Sequence, residues 1–471
     1  MPIKPAPLTI GNGAGFWGDN LDAPVTLARE GEIDVLTLEY LAELTMAILA
    51  HLREKSPRAG YIDDFPRLLA TLAPILAEKP GLTIVTNAGG LNPLWCARHC
   101  GTVLDQAGLG GIGLAAATGD DVRSHVPSWL RAGVDLSHQE TGEPMTAAIA
   151  ERLTAANVYL GARSIVDALA AGARIVATGR VADASLTVGP AVARFGWAWD
   201  DWDRLAAATV AGHLIECGAQ ATGGLSHQWA DLPDLAGVGY PMVTIDANGR
   251  SIVSKPPGTG GKVDLGTVTE QLLYEIDDPA CYRTPDVDAD FTGITLDQVG
   301  VDRVRVSDAR GRERPASLKL VAVYRDGWTA SGMLAVVGRD AEAKARAAGR
   351  IVLERVRRAG YDLADSLVEC LGAGDVAPGV VKPTSPPFEV VLRITVRDPS
   401  KAAVERFCRE LAPLVTAGPP GIAGYAAGRP IARAAFGYWP ALVPRGLAES
   451  QVRVESRSAA EWARMPEPPT P

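Results

Sequence analysis

Short apolar runs alternate with longer helical patterns throughout the first half of this 471-residue chain. The runs are rich in β-branched residues and have the length of buried strands. Such alternation is typical of parallel strands that are joined by right-handed crossovers and covered on both faces. We therefore predict an α/β fold in which residues 1–240 form a Rossmann-like domain with a mostly parallel, doubly wound sheet. The predicted strands are Leu8–Ile10, Ile33–Leu38, Leu82–Thr86, Ile112–Ala117 and Arg174–Thr178, and the predicted helices are Glu39–Arg53, Asp64–Ala77, Pro93–Ala107 and Ala147–Ala171.

The pattern changes near residues 230–245, where the segment DLPDLAGVGYP is rich in proline and glycine. Alternating strand patterns and two long helical patterns follow it. We predict that residues 241–471 form an α+β domain with an antiparallel sheet, and that the final segment ARMPEPPTP is disordered. The predicted strands are Met242–Ile245, Leu318–Tyr324, Gly332–Val337 and Val390–Val396, and the predicted helices are Ala341–Arg358 and Ala402–Leu414.

Charge and composition argue against several classes of protein. The net charge is −9 and the chain has no basic stripe, so we expect no nucleic-acid partner. The first residues lack the apolar core of a signal peptide, and no apolar run is long enough to span a bilayer, so we expect no membrane partner. The six cysteines have no regular spacing. These features predict a reduced, cytoplasmic protein.

The loops that follow the predicted strands are the candidate ligand site. In an open parallel sheet, ligands bind beyond the carboxyl ends of the strands, and glycines there let backbone N–H groups approach a ligand. The loops are Gly11–Asp19, the segment that opens at Glu39, Asn87–Pro93 and Gly179–Ser185. From the first three we predict binding residues Gly13, Gly15, Gly18, Asp19, Glu39, Asn87, Gly89, Gly90 and Asn92.

The first of these loops also fits a dinucleotide-binding pattern. Gly13, Gly15 and Gly18 form G-x-G-x-x-G after a strand, and Glu39 ends the next strand. Pro24 delays the helix that should begin within the motif. A nicotinamide cofactor and a plain tight turn therefore both remain open, and the cofactor is left unassigned.

The loop GRVADAS contains an arginine, an aspartate and a serine within a few residues. Arg180 is suited to clamping a carboxylate or phosphate. Asp183 is a candidate proton acceptor, and the alternative is that it caps the following helix. We predict catalytic roles for Arg180 and Asp183 and a binding role for Ser185.

A helical pattern over Leu205–Ala221 carries polar residues on one face and almost no charge. This face suits a half-buried polar site in which His213 and Glu216 form an acid–base pair and Gln220 binds substrate. The alternative is a core histidine on a helix at a subunit interface. The stripe consists of Thr209, His213, Glu216, Cys217 and Gln220.

Neither of the two histidine clusters predicts a metal site. His213 and Glu216 lack a third ligand, and the Cys96–Cys100 segment, with His99, has no second cluster to complete a zinc site. Lys262, in the loop TGGK, is a candidate anion-binding residue, and the alternative there is a flexible basic loop.

Several runs of the sequence strongly resemble the acyclic terpene utilisation family. The resemblance spans most of residues 9–444. It implies a bacterial protein of acyclic terpene breakdown, in a pathway whose enzymes handle branched acyl-CoA thioesters. We expect the chain to lack the small extra C-terminal domain of some members. The runs are GFWGDN, LTLEYLAELTM, NAGGLNP, TGRVADASLTVGP, AGHLIECGAQATGG, EQLLYEIDDP and FGYWPALVP, with TGG at Thr259–Gly261 and TPDV at Thr284–Val287.

Three functions follow as hypotheses. The first is an enzyme that acts by acid–base chemistry on a branched acyl-CoA or carboxylate, as a hydratase, lyase or isomerase. The others are a nicotinamide-dependent oxidoreductase and a non-catalytic accessory of an acyl-CoA carboxylase or hydratase pathway. We expect a small acyl substrate, with a CoA thioester as one option, and a homo-oligomer.

Overall fold

The computed structural model describes residues 5–380 and 384–466. The chain divides into two compact units: unit 1 is Met1–Val323 with Tyr438–Pro471, and unit 2 is Tyr324–Gly437. The final segment was expected to be disordered, but its first two residues end a helix, and residues 467–471 lie outside the described part. Within that part, every helix is too short or too polar to cross a membrane.

Nineteen strands are present in the described residues. They are β1 Leu8–Asn12, β2 Val35–Leu38, β3 Thr83–Thr86, β4 Gly113–Thr118, β5 Leu153–Val158, β6 Ile175–Thr178, β7 Met242–Ile245, β8 Ser251–Ser254, β9 Tyr282–Arg283, β10 Asp288–Asp290, β11 Thr295–Gly300, β12 Arg303–Ser307, β13 Arg310–Arg312, β14 Ser317–Val337, β15 Asp365–Leu371, β16 Glu389–Asp398, β17 Ile422–Tyr425, β18 Arg433–Pro444 and β19 Arg453–Ser458.

Fifteen α-helices accompany these strands in the described residues. They are α1 Ala23–Glu30, α2 Glu43–Lys55, α3 Asp64–Glu78, α4 Pro93–Gln106, α5 Val126–Arg131, α6 Ala147–Ala150, α7 Arg163–Ala170, α8 Ser185–Phe195, α9 Trp202–Glu216, α10 Leu265–Leu272, α11 Ala341–Arg358, α12 Lys401–Glu410, α13 Leu414–Ala417, α14 Arg445–Glu449 and α15 Ala459–Arg464.

The main sheet of unit 1 is mixed. Its order is β11-β12-β8-β7-β1-β2-β3-β6-β4-β19, and the central strands from β1 to β4 are parallel. On one side, the antiparallel strands β7, β8, β12 and β11 extend the sheet in that order. On the other side, β19 pairs antiparallel with β4. The predicted α/β class is confirmed. Unit 1 extends beyond the expected boundary at residue 240, because β7 pairs with β1 and adds the later strands to the same sheet.

Two groups of helices pack against the central strands. Helices α1 and α8 both contact β1 and β2. Helices α4 and α7 both contact β4 and β6. Since α1, α3 and α4 pack together, and α7, α8 and α9 pack together, we infer that the groups cover opposite faces of the sheet. In α3, apolar residues at helical spacing, such as Phe65, Leu69, Leu72 and Leu76, are buried.

One predicted helix of unit 1 is wrong. The range Ala147–Ala171 contains the short helix α6, then strand β5, then helix α7. Alanine-rich composition favours helix locally, but every residue of β5 is buried and the strand pairs with β14. Tertiary pairing therefore overrides local propensity in this segment.

Unit 2 has the strand–helix–strand–strand–helix–strand order of a split β-α-β fold. Its sheet order is β15-β16-β14-β17, all antiparallel. Helix α11 has the predicted bounds, and its core face consists of residues at helical spacing, among them Ala345, Val352 and Val356. The predicted helix Ala402–Leu414 is shorter, because α12 ends at Glu410 and α13 begins at Leu414. The predicted strands Leu318–Tyr324 and Gly332–Val337 are one continuous strand, β14.

Candidate functional site

The carboxyl ends of four parallel strands bring polar side chains together in unit 1. Glu39 follows β2, Asn87 follows β3, Asp120 follows β4 and Arg180 follows β6. Asn87 Nδ2 lies 2.6 Å from each carboxylate oxygen of Glu39, and the Arg180 backbone N–H donates to Asp120 at 2.8 Å. These residues are far apart in sequence and meet because parallel strands end at one edge of the sheet. We call Glu39, Asn87, Asp120, Arg180 and the adjacent Asp183 the strand-end cluster.

Arg180 is the buried cation of the strand-end cluster, and its side chain is only 4% exposed. Its Nη1 lies 2.7 Å from Asp183 Oδ1 and 3.5 Å from Glu39 Oε1. Its guanidinium carbon lies 4.0 Å from the centre of the Tyr159 ring. Burial alone would lower the pKa of Arg180, but the charge of Asp183 and then Tyr159 and Glu39 raise it well above its usual value. Arg180 therefore stays charged and holds Asp183 in place.

Glu39 is a buried carboxyl group whose pKa is shifted upward. Burial and the nearby charge of Asp183 raise its pKa well above the usual value, although Arg180 and the bond from Asn87 act against the shift. The backbone N–H of Leu41 also donates to Glu39, at 2.8 Å. Asp183 is the nearer carboxyl partner of the Arg180 guanidinium, at 2.7 Å compared with 3.5 Å for Glu39.

Tyr159 forms a second wall of the site. Arg180 and Lys319 both lie against its ring, and the Lys319 Nζ is 4.6 Å from the ring centre. Its hydroxyl donates to Glu43 Oε1 at 2.7 Å, and Lys319 Nζ lies 3.1 Å from the same oxygen. Burial opposes ionisation of Glu43, but Tyr159 and Lys319 outweigh it and lower the pKa of Glu43 to about 2. This wall therefore presents a fixed carboxylate, a phenol and an ammonium group.

A cavity of about 610 Å³ is lined by Arg180 and Asp183 together with the Tyr159 wall. Its surface combines charged groups with apolar side chains, which suits a small ligand that has a polar head and an apolar chain. Of the predicted site residues, Arg180 and Asp183 line it. The lining residues are Leu41, Ala42, Glu43, Gln139, Tyr159, Arg180, Ala182, Asp183, Ala184, Glu275, Tyr282, Arg283, Thr284, Pro285, Pro315, Ser317, Leu318, Lys319 and Leu442.

Asp183 links this cavity to the protein interior. Its side chain is 36% exposed, and it also lines a small internal void with Glu39 and Glu216. One oxygen of Glu216, Oε2, is buried in the described structure without a hydrogen-bond partner. The alternative prediction that Asp183 caps α8 does not hold, because Ala184 occupies the cap position. Three carboxyl groups thus surround one void, with Asp183 at its outer side.

His213 and Glu216 form the predicted pair, but they do so inside the protein. His213 Nδ1 lies 3.0 Å from Glu216 Oε1, and Nε2 donates to the Gln271 carbonyl oxygen at 3.0 Å. Burial acts against the charged imidazole, but the hydrogen bond and charge of Glu216 outweigh it and raise the pKa of His213. His213 is buried and is not part of the cavity wall.

The Gly-rich loop after β1 fastens the end of helix α9. Asn12 Nδ2 donates to the carbonyl oxygens of Ile215 and Glu216, at 2.7 and 3.0 Å. A Cβ on Gly15 would lie 2.7 Å from the Cys217 carbonyl carbon. Gly15 therefore allows close approach to another segment of the protein, which places Glu216 beside Asp183.

The other glycines of the predicted site also have packing or turn environments. A Cβ on Gly13 would lie 2.8 Å from Pro24 Cα, and a Cβ on Gly89 would lie 2.5 Å from the Thr178 carbonyl oxygen. Gly18 and Gly90 have positive φ angles, 101° and 53°. Helix α1 begins only at Ala23, beyond the third glycine of the motif.

The remaining predicted residues make contacts within the protein. Asp19 accepts hydrogen bonds from the Gly15 N–H and from the Tyr240 hydroxyl. Asn92 donates to the carbonyl oxygens of Pro57 and Ala59 and makes no side-chain cap for α4. Ser185 donates to the buried Asp286 at 2.6 Å.

Gln220 and Lys262 also lie outside the cavity wall. Helix α9 ends at Glu216, so Gln220 falls in the following 3-10 turn rather than on the expected polar stripe. Lys262 is exposed and pairs with Asp264 at 2.5 Å. Within residues 5–380 and 384–466, no group of His, Cys, Asp and Glu side chains has the arrangement of a metal site.

The sequence prediction missed Tyr159, Glu43, Lys319 and Asp120. Tyr159 follows β5, which was predicted as helix, so its position at a strand end was hidden. Asp120 follows β4 in the loop TGDD, and the same strand-end rule would have found it. Glu43 lies four residues after Glu39, on the first turn of α2.

One family model matches the chain over residues 8–454, which is nearly its whole length, and its description is "Acyclic terpene utilisation family protein AtuA". Comparison with curated proteins and with solved structures found no match. The matched range contains every residue that lines the cavity.

Proposed function

Because the chain belongs to the acyclic terpene utilisation family, and so has a role in acyclic terpene catabolism, we propose that it is an enzyme of that catabolism. Its substrate is a branched acyl-CoA or carboxylate intermediate. Its reaction is a proton transfer of the hydratase, lyase or isomerase type. The cavity lined by Arg180 and Asp183 is the active site of this proposal.

One observation carries the proposal: the carboxylate of Asp183, on the cavity wall, forms an ion pair with the buried guanidinium of Arg180. The Asp183–Arg180 contact of 2.7 Å fixes the carboxylate, while 36% exposure leaves it accessible to a ligand. Fixed geometry and access are the requirements for a general base. Asp183 is the residue we assign to accept the proton.

The reaction that this arrangement suits begins at the carbon next to the substrate carbonyl. Asp183 removes a proton from that carbon, and the electron pair moves onto the carbonyl oxygen. The Lys319 ammonium lies in the same cavity and offsets negative charge on the substrate. Return of the proton to another carbon gives isomerisation, and loss of a leaving group from the next carbon gives elimination.

The buried groups behind Asp183 support its function as positioning residues. Glu39 lies 3.5 Å from the Arg180 guanidinium, farther away than Asp183, and Glu216 borders the same small void as Asp183. Apolar residues such as Leu41, Leu318 and Leu442 provide the surface for a branched chain.

The test is growth on an acyclic terpene as carbon source, by a host in which the gene for this protein is replaced with the gene for each variant. We expect Asp183→Asn and Arg180→Gln to abolish growth, because the first removes the proposed proton acceptor and the second removes the guanidinium that holds it in place. His213→Gln and Glu216→Gln should slow growth.

The matched control is Lys262→Gln, an exposed residue outside the cavity wall, which should grow like the wild type. Normal growth of all four site variants, with normal protein levels, would show that the site is assigned wrongly. Normal growth together with co-purification of a pathway enzyme would favour an accessory role.

A further inference from the structure

Unit 2 contains a cavity of its own, about 530 Å³ in volume. It lies between one face of α12 and the segment 425–432. The α12 residues Lys401, Glu405, Cys408 and Arg409 follow helical spacing, so they share that face. Nothing in the proposed reaction uses this cavity.

A buried hydroxyl group without a partner lies in this cavity wall. Tyr425 packs against the hydrophobic core of unit 2, and its hydroxyl oxygen is buried in the described structure with no hydrogen-bond partner. Leaving a buried polar group unpaired costs the free energy of removing that group from water. An acceptor bound in the cavity would remove that cost.

Two guanidinium groups lie in the same wall. Lys401 is paired with Glu405 at 3.2 Å, whereas Arg409 and Arg429 form no ion pair with any described residue. Two free guanidinium groups and a phenol form a set of donors without an acceptor. This set matches the oxygens of an anion.

A polar cavity of unit 1 that is lined by three arginines lacks this property. Its volume is about 480 Å³, and its arginines are already paired with aspartates. Arg204 pairs with Asp201 and Arg310 with Asp203. Arginine in a cavity wall is therefore not enough to provide unpaired donors.

The rest of the unit 2 cavity is apolar. Pro430, Ile431, Ala432 and Ala412 line it beside the donors. We propose that this cavity is a ligand site for an organic carboxylate with a short apolar chain. The carboxylate accepts from Arg409, Arg429 and Tyr425, and the chain covers the apolar residues. An inorganic anion would satisfy the donors but leave the apolar part in contact with water.

Cys408 gives a direct readout of this site. It is half-buried and lines the cavity, and burial raises the pKa of its thiol. A bound carboxylate should slow alkylation of Cys408 by N-ethylmaleimide, measured on the full chain by mass spectrometry of peptides. The half-buried Cys281 of unit 1 lies outside this cavity, and its alkylation rate is measured in parallel to separate protection in unit 2 from any effect of the ligand on unit 1.

The probe is 3-methylbutanoate, with 3-methylbutanamide as its uncharged isostere and inorganic phosphate as the anion without a chain. We expect the carboxylate alone to protect Cys408. In the double variant Arg409→Gln/Arg429→Gln, the carboxylate concentration that gives half-maximal protection of Cys408 should rise roughly tenfold or more. The reason is that this variant loses charge-assisted hydrogen bonds to the carboxylate. Tyr425→Phe should need about fivefold more. Arg357→Gln, at an exposed arginine of α11 paired with Glu354, should behave as the wild type.

Three results would overturn the proposal. They are an absence of protection by the carboxylate, equal protection in the double variant, and equal protection by the amide or by phosphate. Because the readout is a cysteine of unit 2, and the variants leave Asp183 and Arg180 intact, this outcome is independent of the proposed function.

Discussion

Burial raises the pKa of several carboxyl groups in unit 1. Asp120 accepts hydrogen bonds from the Arg180 N–H and from Asn157, yet burial raises the pKa of Asp120 to about 7. The same cause, burial, raises the pKa of Glu39 and of Asp286. Folding therefore takes up protons at this edge of the sheet, and this makes stability depend on pH.

The pH dependence of stability should be visible at Asp120. Its pKa is about 7 in the folded state and near 3.8 when unfolded, so the folded chain holds one extra proton between these values. The stabilisation is complete below the lower value and is lost as pH rises through 7. Between pH 5 and pH 8, the wild type should lose about 3 kcal/mol more unfolding free energy than Asp120→Asn, measured in urea.

The control for this measurement is Asp297→Asn, at an exposed position in β11. It should follow the pH dependence of the wild type. An Asp120→Asn variant whose stability changes with pH as much as that of the wild type would contradict the assignment of the buried proton to Asp120.

Single residues of the site were predictable where a strand end could be recognised. Glu39, Asn87 and Arg180 directly follow apolar strands, so their meeting was expected from sheet topology. Tyr159 was not predictable, because its strand has alanine-rich flanks that favour helix. Of the strand-end cluster, only Arg180 and Asp183 line the cavity. Side-chain packing decides this, and the sequence pattern does not predict how these side chains pack.

At the scale of elements, the Gly-rich loop and helix α9 act together. Sequence patterns gave this loop a cofactor or turn role, whereas its contacts are with the end of the helix. The motif and the helix are about 200 residues apart in the chain. Only the folded chain brings them into contact. The sequence pattern therefore indicated that glycine is required in this loop, but it did not identify the segment that packs against it.

Replacing Asn12 should loosen the end of α9. Asn12→Ala removes the donor to the Ile215 and Glu216 carbonyl oxygens and should lower the unfolding free energy by about 1–3 kcal/mol. Hydrogen exchange measured by mass spectrometry should rise in the last turn of α9. Asn20→Ala in the same loop, at an exposed position, is the control and should change stability by about 0.5 kcal/mol or less. Equal exchange in both variants would contradict the role of Asn12.

At the scale of the molecule, the fold class was predictable and the division of the chain was not. The spacing of apolar residues and the local composition indicate which segments are strands and which are helices, and their order along the chain indicates the fold class. The pairing of Leu8 with Ile245, which extends the main sheet past residue 240, joins segments far apart in sequence. An edge strand can be completed by any compatible strand, so local patterns do not select the partner.

The division into two units separates the two proposed sites. The acid–base cavity belongs to unit 1, whose residues include the C-terminal strand β19, and the carboxylate cavity belongs to unit 2. Each unit has its own buried core. Variants in one site therefore serve as controls for the other.

The most direct measurement of the central claim is solvent deuterium incorporation into 3-methylbutanoyl-CoA, followed by mass spectrometry in D₂O. With the wild type, deuterium should enter at the carbon next to the carbonyl, because Asp183 removes that proton. With Asp183→Asn the rate should fall by about 10²–10⁴-fold, while Lys262→Gln should retain it. Incorporation by a folded Asp183→Asn variant at the wild-type rate would contradict the account.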